Sequence, residues 1–426
     1  MMRLPQAFWL LWFGQACNRI GTLAPAFLVL YLEQGKLVNS QTTPVIVGLF
    51  GAGVVASGLI GGGVADAIGP RRTIVFAQPA AAATALAFLT THNVNLLCLL
   101  SLLTGFLSAV DRPAGAGLIA KIVPKEDFSK AYSLYMVGFN VGMSLGPVLS
   151  GFLLSWYPPA LFVVWALCAC VYALLVCALP ADEPRQAAGP SESSVLRNAA
   201  RGVVEPFRSR LMLGFLALTF LMACVYLQVN STLPLGMRDQ GLGPGEIGMV
   251  LAVNAVLSVV LLPLVPRITR GMADVLPLML SSGFIAVGFG LNFLAHGVPT
   301  FIVTTVIWTI GEVLWTTVSA DFVAKRAPAG RVSTYQGSFF FAWNAAFVAG
   351  GPVGIALAAA CGYTTLWIAA LALGLAVTLG FTLLTRIPGF HPADRAQAGV
   401  PADATASATA AEHTAAPAPA GHAPSH

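Results

Sequence analysis

Long apolar runs separated by short polar, basic or glycine- and proline-containing turns fill most of the chain. A helix that crosses a bilayer needs about 20 predominantly apolar residues. By that measure twelve stretches qualify: 7–32, 44–67, 72–91, 95–122, 128–156, 159–180, 210–238, 245–266, 273–295, 299–327, 331–360 and 363–386. A polar, basic stretch at 181–209 divides them six and six. Residues 387–426, rich in Ala and Pro with no apolar periodicity, read as a disordered tail. The pattern predicts an all-α membrane protein with a six-helix bundle over 1–180, a linker over 181–209, a second six-helix bundle over 210–386 and the tail over 387–426.

Composition agrees. The chain is 57% hydrophobic and 9% charged, whereas soluble domains are about 25% charged. Such a chain cannot cover its surface with polar groups, so lipid is the expected solvent. The net charge of +5 does not point to nucleic acid, because the basic residues sit in the turns. Eighteen of the 22 lysines and arginines fall on the side that holds the N-terminus. Lys36 and Arg238 fall on the other side, and Arg19 and Arg112 lie inside spans. Cationic turns stay inside, so both termini and the linker are expected in the cytoplasm of a cell (inner or plasma) membrane protein. The first run is too long for a signal-peptide core of about 7–15 residues and carries Asn18 and Arg19 in its middle, so it is expected to remain a span. The seven cysteines are scattered through apolar runs without a C-x-x-C pair and read as packing residues. No histidine falls inside a span.

The two halves repeat weakly. Ala120-Lys121-Ile122-Val123-Pro124 at the end of span 4 is echoed by Ala324-Lys325-Arg326-Ala327-Pro328 at the end of span 10. Asn140 and Gly146-Pro147 in span 5 are echoed by Asn344 and Gly351-Pro352 in span 11. Two parallel six-helix repeats are a transporter architecture, with a site near midplane between them. The turn between spans 2 and 3 reads GLIGGGVADAIGPRR, with Gly62, Asp66, Gly69, Arg71 and Arg72 at the spacing G-x3-D-x2-G-x-R-R. This resembles the loop signature of the major facilitator superfamily. The resemblance implies that Asp66 holds the cytoplasmic side closed near the start of span 11, with Arg71 or Arg72 as its partner. The matching turn in the second half, Pro266-Arg267-Ile268-Thr269-Arg270, keeps the basic residues without a matching acid.

Charge inside the membrane is costly, at least about 2.5–3.5 kcal/mol per residue, and marks candidate function. Span 4 carries Asp111 and Arg112 in LLTGFLSAVDRPAGAG, which resembles the superfamily's span-4 arginine motif, with Gly115-Ala116 where Gln-Gly is expected. A structural Asp–Arg pair and a functional one are both open. Span 1 offers Gln15, Asn18 and Arg19 and lacks the acid found there in many drug–proton antiporters of the family. Arg19 needs an anion, either Asp111 or the substrate. Glu312 is the only acid deep in the second half, and no lysine or arginine lies deep there to pair with it. Desolvation favours its neutral form, the condition for a carboxyl that loads and releases a proton. WTIGEVLW resembles the Gly-Glu element in span 10 of some bacterial multidrug-resistance-like facilitators. The alternative is a protonated acid that hydrogen-bonds to a neighbouring helix.

Span 5 carries Gly138, Gly142, Gly146 and Pro147 in a pattern resembling the family's Gly-x3-Gly-Pro antiporter motif, with Ser150 at one expected glycine. Small residues four apart make a groove for close helix approach, and Pro147 is expected to kink the helix. Gln228, Asn230, Asn254, Trp308, Trp315, Gln336 and Asn344 are candidate lining residues, each with a packing alternative. Matches to Gly-x-Ser-x-Gly at Gly142–Gly146 and to Gly-x-Gly-x-x-Gly at Gly243–Gly248 lack a preceding strand and are chance.

The resemblance implies proton-coupled export of a small, amphipathic compound by alternating access. Proton coupling would fall to Glu312 and Asp111. Substrate contact would fall to Asn18, Arg19, Arg112, Gln228, Trp308, Trp315, Gln336 and Asn344. Gating would fall to Asp66, Gly69, Arg71, Arg72, Gly142, Gly146 and Pro147. No catalytic residues, metal or cofactor are expected beyond a proton gradient, and the partners are substrate, protons and lipid, around a monomer. A nutrient symporter or uniporter is the first rival. The sugar-porter signature after span 6 and the peptide-transporter Glu-x-x-Glu-Arg pattern in span 1 are both missing. A receptor or scaffold that moves nothing is the second, and buried Glu312 and Arg112 would be an expensive ornament for it.

Overall fold

The computed structural model describes residues 4–21, 42–180, 204–328 and 330–387. All regular structure among them is helical. In the first half the helices are α1 (Gln6–Gly21), α2 (Thr43–Ile68), α3 (Pro70–Ala87), α4 (Val94–Ala109), α5 (Asp111–Ile122), α6 (Phe128–Trp156) and α7 (Ala160–Cys177). The second half holds α8 (Arg210–Tyr226), α9 (Thr232–Asp239), α10 (Pro244–Leu261), α11 (Val265–Ile268), α12 (Val275–Gly290), α13 (Val298–Arg326) and α14 (Val332–Leu384). Each of the twelve predicted stretches contains helix. Among the described residues, eight helical runs are long and apolar enough to cross a membrane, by length and composition. The last of these, α14, takes in two predicted spans, because its helices at 332–361 and 363–384 meet at Gly362, where φ is 83°. Span 1 beyond Gly21, the linker from 181 to 203 and the tail from 388 lie outside the described residues.

Three spans are interrupted where one continuous helix was expected. Span 4 breaks at Val110, because Pro113 has no N–H to offer the carbonyl of Ala109. Span 8 tightens to a 3₁₀ turn over Leu262–Leu264, around Pro263. Span 7 tightens over Leu227–Asn230. There Gln228 brackets the break: its Nε2 donates to the carbonyls of Cys224 and Gly350 at 2.9 and 2.8 Å, and its Oε1 accepts from Thr232 Oγ1 at 2.8 Å. The turn between α2 and α3 needs one residue, Gly69, at φ 102° and ψ 136°, a conformation a side chain disfavours.

Each half has its own apolar core. In the second, Phe215 stacks on Phe322 with centroids 4.6 Å apart and also meets Phe339 and Phe381. In the first, Phe8, Leu11, Ile74, Ile119, Tyr132 and Tyr172 are buried together. The halves meet at one end, which carries Arg71, Arg72, Lys121, Lys325 and Arg326 and is called the basic end below. There α2 packs on the start of α14 through small residues. A Cβ on Gly58 would meet the Phe341 backbone at 2.7 Å, and Gly62 and Gly117 both abut Ser333. Ser133 of α6 donates to the carbonyl of Leu262 on the second half, and Met136 touches the cores of both halves.

Candidate functional site

The buried charges of the first half are drawn together by glycines. Gly138, Gly142 and Gly146 lie four apart on α6, and α1 is seated directly on them. A Cβ on Gly142 would run into Arg19 and into the carbonyl of Ala16, the latter at 3.0 Å, and one on Gly146 would lie 3.2 Å from the Arg19 carbonyl. This close approach fixes Arg19 inside the bundle, where its Nη2 bonds both carboxylate oxygens of Asp111 at 2.6 and 2.5 Å. Asp111 is fully buried and Arg19 is 5% exposed. Of the two anions open to Arg19, the structure selects Asp111. Asp111 therefore pairs across 92 residues with span 1 and not with its neighbour Arg112. It is the counterion of Arg19 in this state. Arg112 lies over the Phe139 ring with its guanidinium carbon 5.1 Å from the centroid, and Arg19 lies 5.0 Å from the same centroid.

Glu312 sits in the middle of α13. Its Oε1 accepts from the Tyr226 hydroxyl at 2.7 Å and its Oε2 from Asn254 Nδ2 at 2.5 Å. Asn254 Nδ2 also donates to Thr309 Oγ1 at 3.1 Å. Three elements, α8, α10 and α13, thus converge on one carboxyl. No lysine or arginine among the described residues pairs with it. Trp308 is completely buried one turn away, with ring centroids 6.0 Å from Tyr226 and 5.4 Å from Phe289. Tyr226 also lies 5.4 Å from Trp343. The carboxyl is therefore walled by aromatic rings and answered only by neutral donors, so it can exchange a proton without breaking an ion pair.

At the basic end, Asp66 caps the start of α14. Its Oδ1 accepts from the Ser333 backbone N–H at 3.1 Å and its Oδ2 from the Thr334 N–H at 2.6 Å. The first N–H groups of a helix have no partner within it and carry partial positive charge, so a carboxylate there is doubly matched. Of the two arginines expected as its partner, Arg71 is engaged elsewhere. Arg71 instead donates from Nε to the Val176 carbonyl at 3.2 Å and from Nη2 to the Cys177 carbonyl at 2.5 Å. It caps the C-terminus of α7, where cationic groups are favoured. Arg72 is exposed.

The description of the major facilitator superfamily matches residues 11–351, which takes in both constellations and the Asp66 contact. The chain belongs to that superfamily. Among similar proteins, the uncharacterized MFS-type transporter YttB of Bacillus subtilis (strain 168) is 27% identical over 342 residues, covering 78% of this chain and 84% of the relative. The Na(+), Li(+), K(+)/H(+) antiporter of Planococcus maritimus is 25% identical over 379 residues, covering 80% of this chain and 86% of its own. The solved structure of a bacterial homologue of the iron transporter ferroportin, in an outward-facing state, superposes with a TM-score of 0.72 at 16% identity, over 90% of this chain and all of that one. This likeness shows the shared fold.

The other expected residues of this superfamily member divide by surroundings. Asn344 donates to the Val54 carbonyl at 3.3 Å and so ties the halves together. Gln336 is fully buried and donates to the Ala320 carbonyl at 2.7 Å, within the second half. Trp315 is buried against Phe381, at 5.8 Å between centroids. With Gln228 bracketing the span-7 break, these three make packing or connecting contacts in this state, which the sequence had offered as the alternative to lining. Asn18 is buried on α1 beside Arg19. Gly142 and Gly146 are contact points for α1. The side chain of Pro147 lies outside the described residues, and α6 runs unbroken past it.

Sequence reasoning missed three groups. Tyr226 looked like an ordinary aromatic of span 7. Phe139 carried no polar signal. Asp274, just past the basic turn after span 8, bonds Lys325 Nζ at 3.3 Å and Arg326 Nη2 at 3.1 Å. It supplies the acid that the second-half turn lacked, four residues beyond Arg270. The pairing of Asp274 with the repeated Lys325-Arg326 element was the available clue.

Proposed function

We propose that this multi-pass major facilitator superfamily transporter exports a small compound in exchange for protons, with Glu312 as the proton carrier. It would sit in the cell membrane with both termini cytoplasmic, as the positive-inside bias supports. The halves 1–180 and 210–386 would rock about a site between them. In that orientation the contacts of Asp66 and Ser133 close the cytoplasmic side. Asp66, Gly69 and the glycines of α6 would serve the gate, with Arg71 and Arg72 anchoring the cytoplasmic turn.

The observation that carries this reading is the carboxyl of Glu312, half-buried mid-helix, bonded by Tyr226 and Asn254 and paired with no cation among the described residues. Such a group changes charge by moving one proton, and each proton falling through 100 mV makes about 2.3 kcal/mol available. The relative that exchanges alkali cations for protons supports exchange over uptake. The test uses proteoliposomes with a trapped pH-sensitive dye, an imposed proton gradient and a panel of dyes, drugs, metabolites and alkali cations. A substrate-dependent outflow of protons against substrate, lost in Glu312→Gln, is expected. Co-directional flux would turn the reading into symport. Substrate movement with no proton flux in either protein would reduce Glu312 to a structural hydrogen bond.

A further inference from the structure

We infer that the transported compound is an organic anion, a small acidic group on an apolar or aromatic body, and that Arg112 over the Phe139 ring receives the acidic group. The inference rests on the transport reading above, but it uses the opposite half of the molecule from Glu312.

The buried charges of the first half do not balance. Asp111 is one carboxylate, and Arg19 Nη2 takes both of its oxygens. Arg112 is then left with no hydrogen bond to any described residue and no carboxylate within ion-pair distance among them. Its Nε is sealed from solvent without an acceptor, while the side chain as a whole is only half-buried. The other two guanidinium nitrogens are not sealed in the same way. The Arg112 guanidinium lies over the Phe139 face, which it shares with the guanidinium of Arg19 at nearly the same distance, and the nearby carboxylate of Asp111 attracts it without bonding it. A phenyl ring answers a buried cation weakly, and two cations beside one ring repel each other.

The other buried or half-buried acids cannot supply the missing charge in this state. Glu312 is held by Tyr226 and Asn254, Asp66 by the start of α14, Asp274 by Lys325 and Arg326, Asp321 by Lys325 and Glu205 by Arg331, while Asp127 sits in the turn before α6. Beside this site, one turn before Arg19, Gln15 is 1% exposed and neither its Nε2 nor its Oε1 has a partner among the described residues. A buried amide with both ends unused is costly unless something completes it. A guanidinium presents parallel N–H groups that match a carboxylate, sulfonate or phosphate. The ring of Phe139 gives an aryl or alkyl body an apolar surface next to the acidic group. A neutral solute would leave Arg112 unanswered, and a cationic one would add a third positive charge to the two already there.

The test measures equilibrium binding to the purified full-length protein at fixed pH and without a gradient. Its outcome is then independent of whether Glu312 couples protons. The probes are benzoate, benzenesulfonate and phenyl phosphate, with benzamide as the neutral analogue and benzylammonium as the cationic one. Intrinsic tryptophan fluorescence and thermal shift report binding. Wild type should bind at least one aryl anion more tightly than benzamide, and the preferred headgroup shows which acid the site takes. Arg112→Gln should lose that binding by at least tenfold. Arg112→Lys should keep the preference for anions at several-fold weaker affinity, because it keeps the charge and loses the fork; it carries the test if Arg112→Gln does not fold. Equal binding of benzamide, preference for benzylammonium, no binding by any of the three anions, or unchanged anion affinity in Arg112→Gln would each overturn the inference.

Discussion

Replacing Asp66 by Asn is the sharpest perturbation of the contact that holds the halves together. In the wild type two backbone N–H groups, on Ser333 and Thr334, end on one carboxylate at 3.1 and 2.6 Å. A hydrogen bond to a charged group contributes about 1.5–3 kcal/mol net. Attraction between a carboxylate and a helix N-terminus adds about 0.3–1 kcal/mol, rising to about 2 kcal/mol where partly buried. Asparagine keeps one acceptor oxygen for one N–H and turns an amide NH2 toward the other, so one bond and the charge are lost. The closed state should lose about 2–3 kcal/mol, a shift of roughly 30- to 150-fold in the closed-to-open ratio. These N–H groups have no intrahelical acceptor, so their hydrogen exchange reads the contact directly. Mass-spectrometric exchange of a peptide spanning Ser333 and Thr334 should accelerate by a comparable factor in the variant, with substrate binding kept and turnover slowed. Unchanged exchange at Ser333 and Thr334 in a variant that expresses normally would refute the reasoning, because no other described group accepts from them.

Two further outcomes follow from the packing around Arg19 and from the ion pairs at the basic end. Gly142→Val places a branched side chain against Arg19 and the carbonyl of Ala16, which are backbone or backbone-near atoms with little freedom to move. Overpacking of this kind costs about 1–3 kcal/mol, so a lowered melting temperature is expected, with turnover reduced as far as in Arg19→Ala; a normal melting temperature would mean that α1 does not rest on α6 as described. At the basic end, burial pushes the Asp274 carboxyl up, but Lys325 and Arg326 outweigh it and hold it below the usual carboxylate range. A carboxyl depressed in the folded state stabilises fully above its unfolded value of about 3.9 and loses that contribution as pH falls through the lower folded value. The difference in thermal stability between wild type and Asp274→Asn should therefore be level from pH 7 to about 5 and shrink below about pH 4; a difference that grows on acidification would reverse the assignment.

The fold was legible because a bilayer imposes one ruler on every element. Each of the twelve stretches picked out by apolar length contains helix, and the weak echo of Lys121 in Lys325 is what suggested two halves. The breaks were less legible. Pro113 and Pro263 are visible in the sequence, but whether a missing N–H bends, tightens or interrupts a helix depends on what the neighbouring helices offer the freed carbonyl. The 3₁₀ turn of span 7 has no proline within it at all. It is held by Gln228, whose amide reaches back to Cys224 and across to Gly350, and only tertiary packing could bring Gly350 there. The same contact took Gln228 off the list of residues free to meet a solute.

For the site, cost was legible and partnership was not. Arg19, Asp111, Arg112 and Glu312 stand out in any reading of the chain, because nothing uncharged needs so much compensation in lipid. Adjacency in sequence suggested Asp111 with Arg112, and that guess fails for a geometric reason. Neighbours on a helix point about 100° apart, so two adjacent charges rarely meet, while a residue on a facing helix can. The glycines of α6 decide which facing residue it is, since they let α1 come close enough for Arg19 to reach Asp111. The consequence reaches function. Had Asp111 served Arg112, the spare cation would lie on span 1; because it serves Arg19, the spare guanidinium is Arg112, over Phe139. Three glycines that carry no chemistry thus determine which charged group remains available to a ligand.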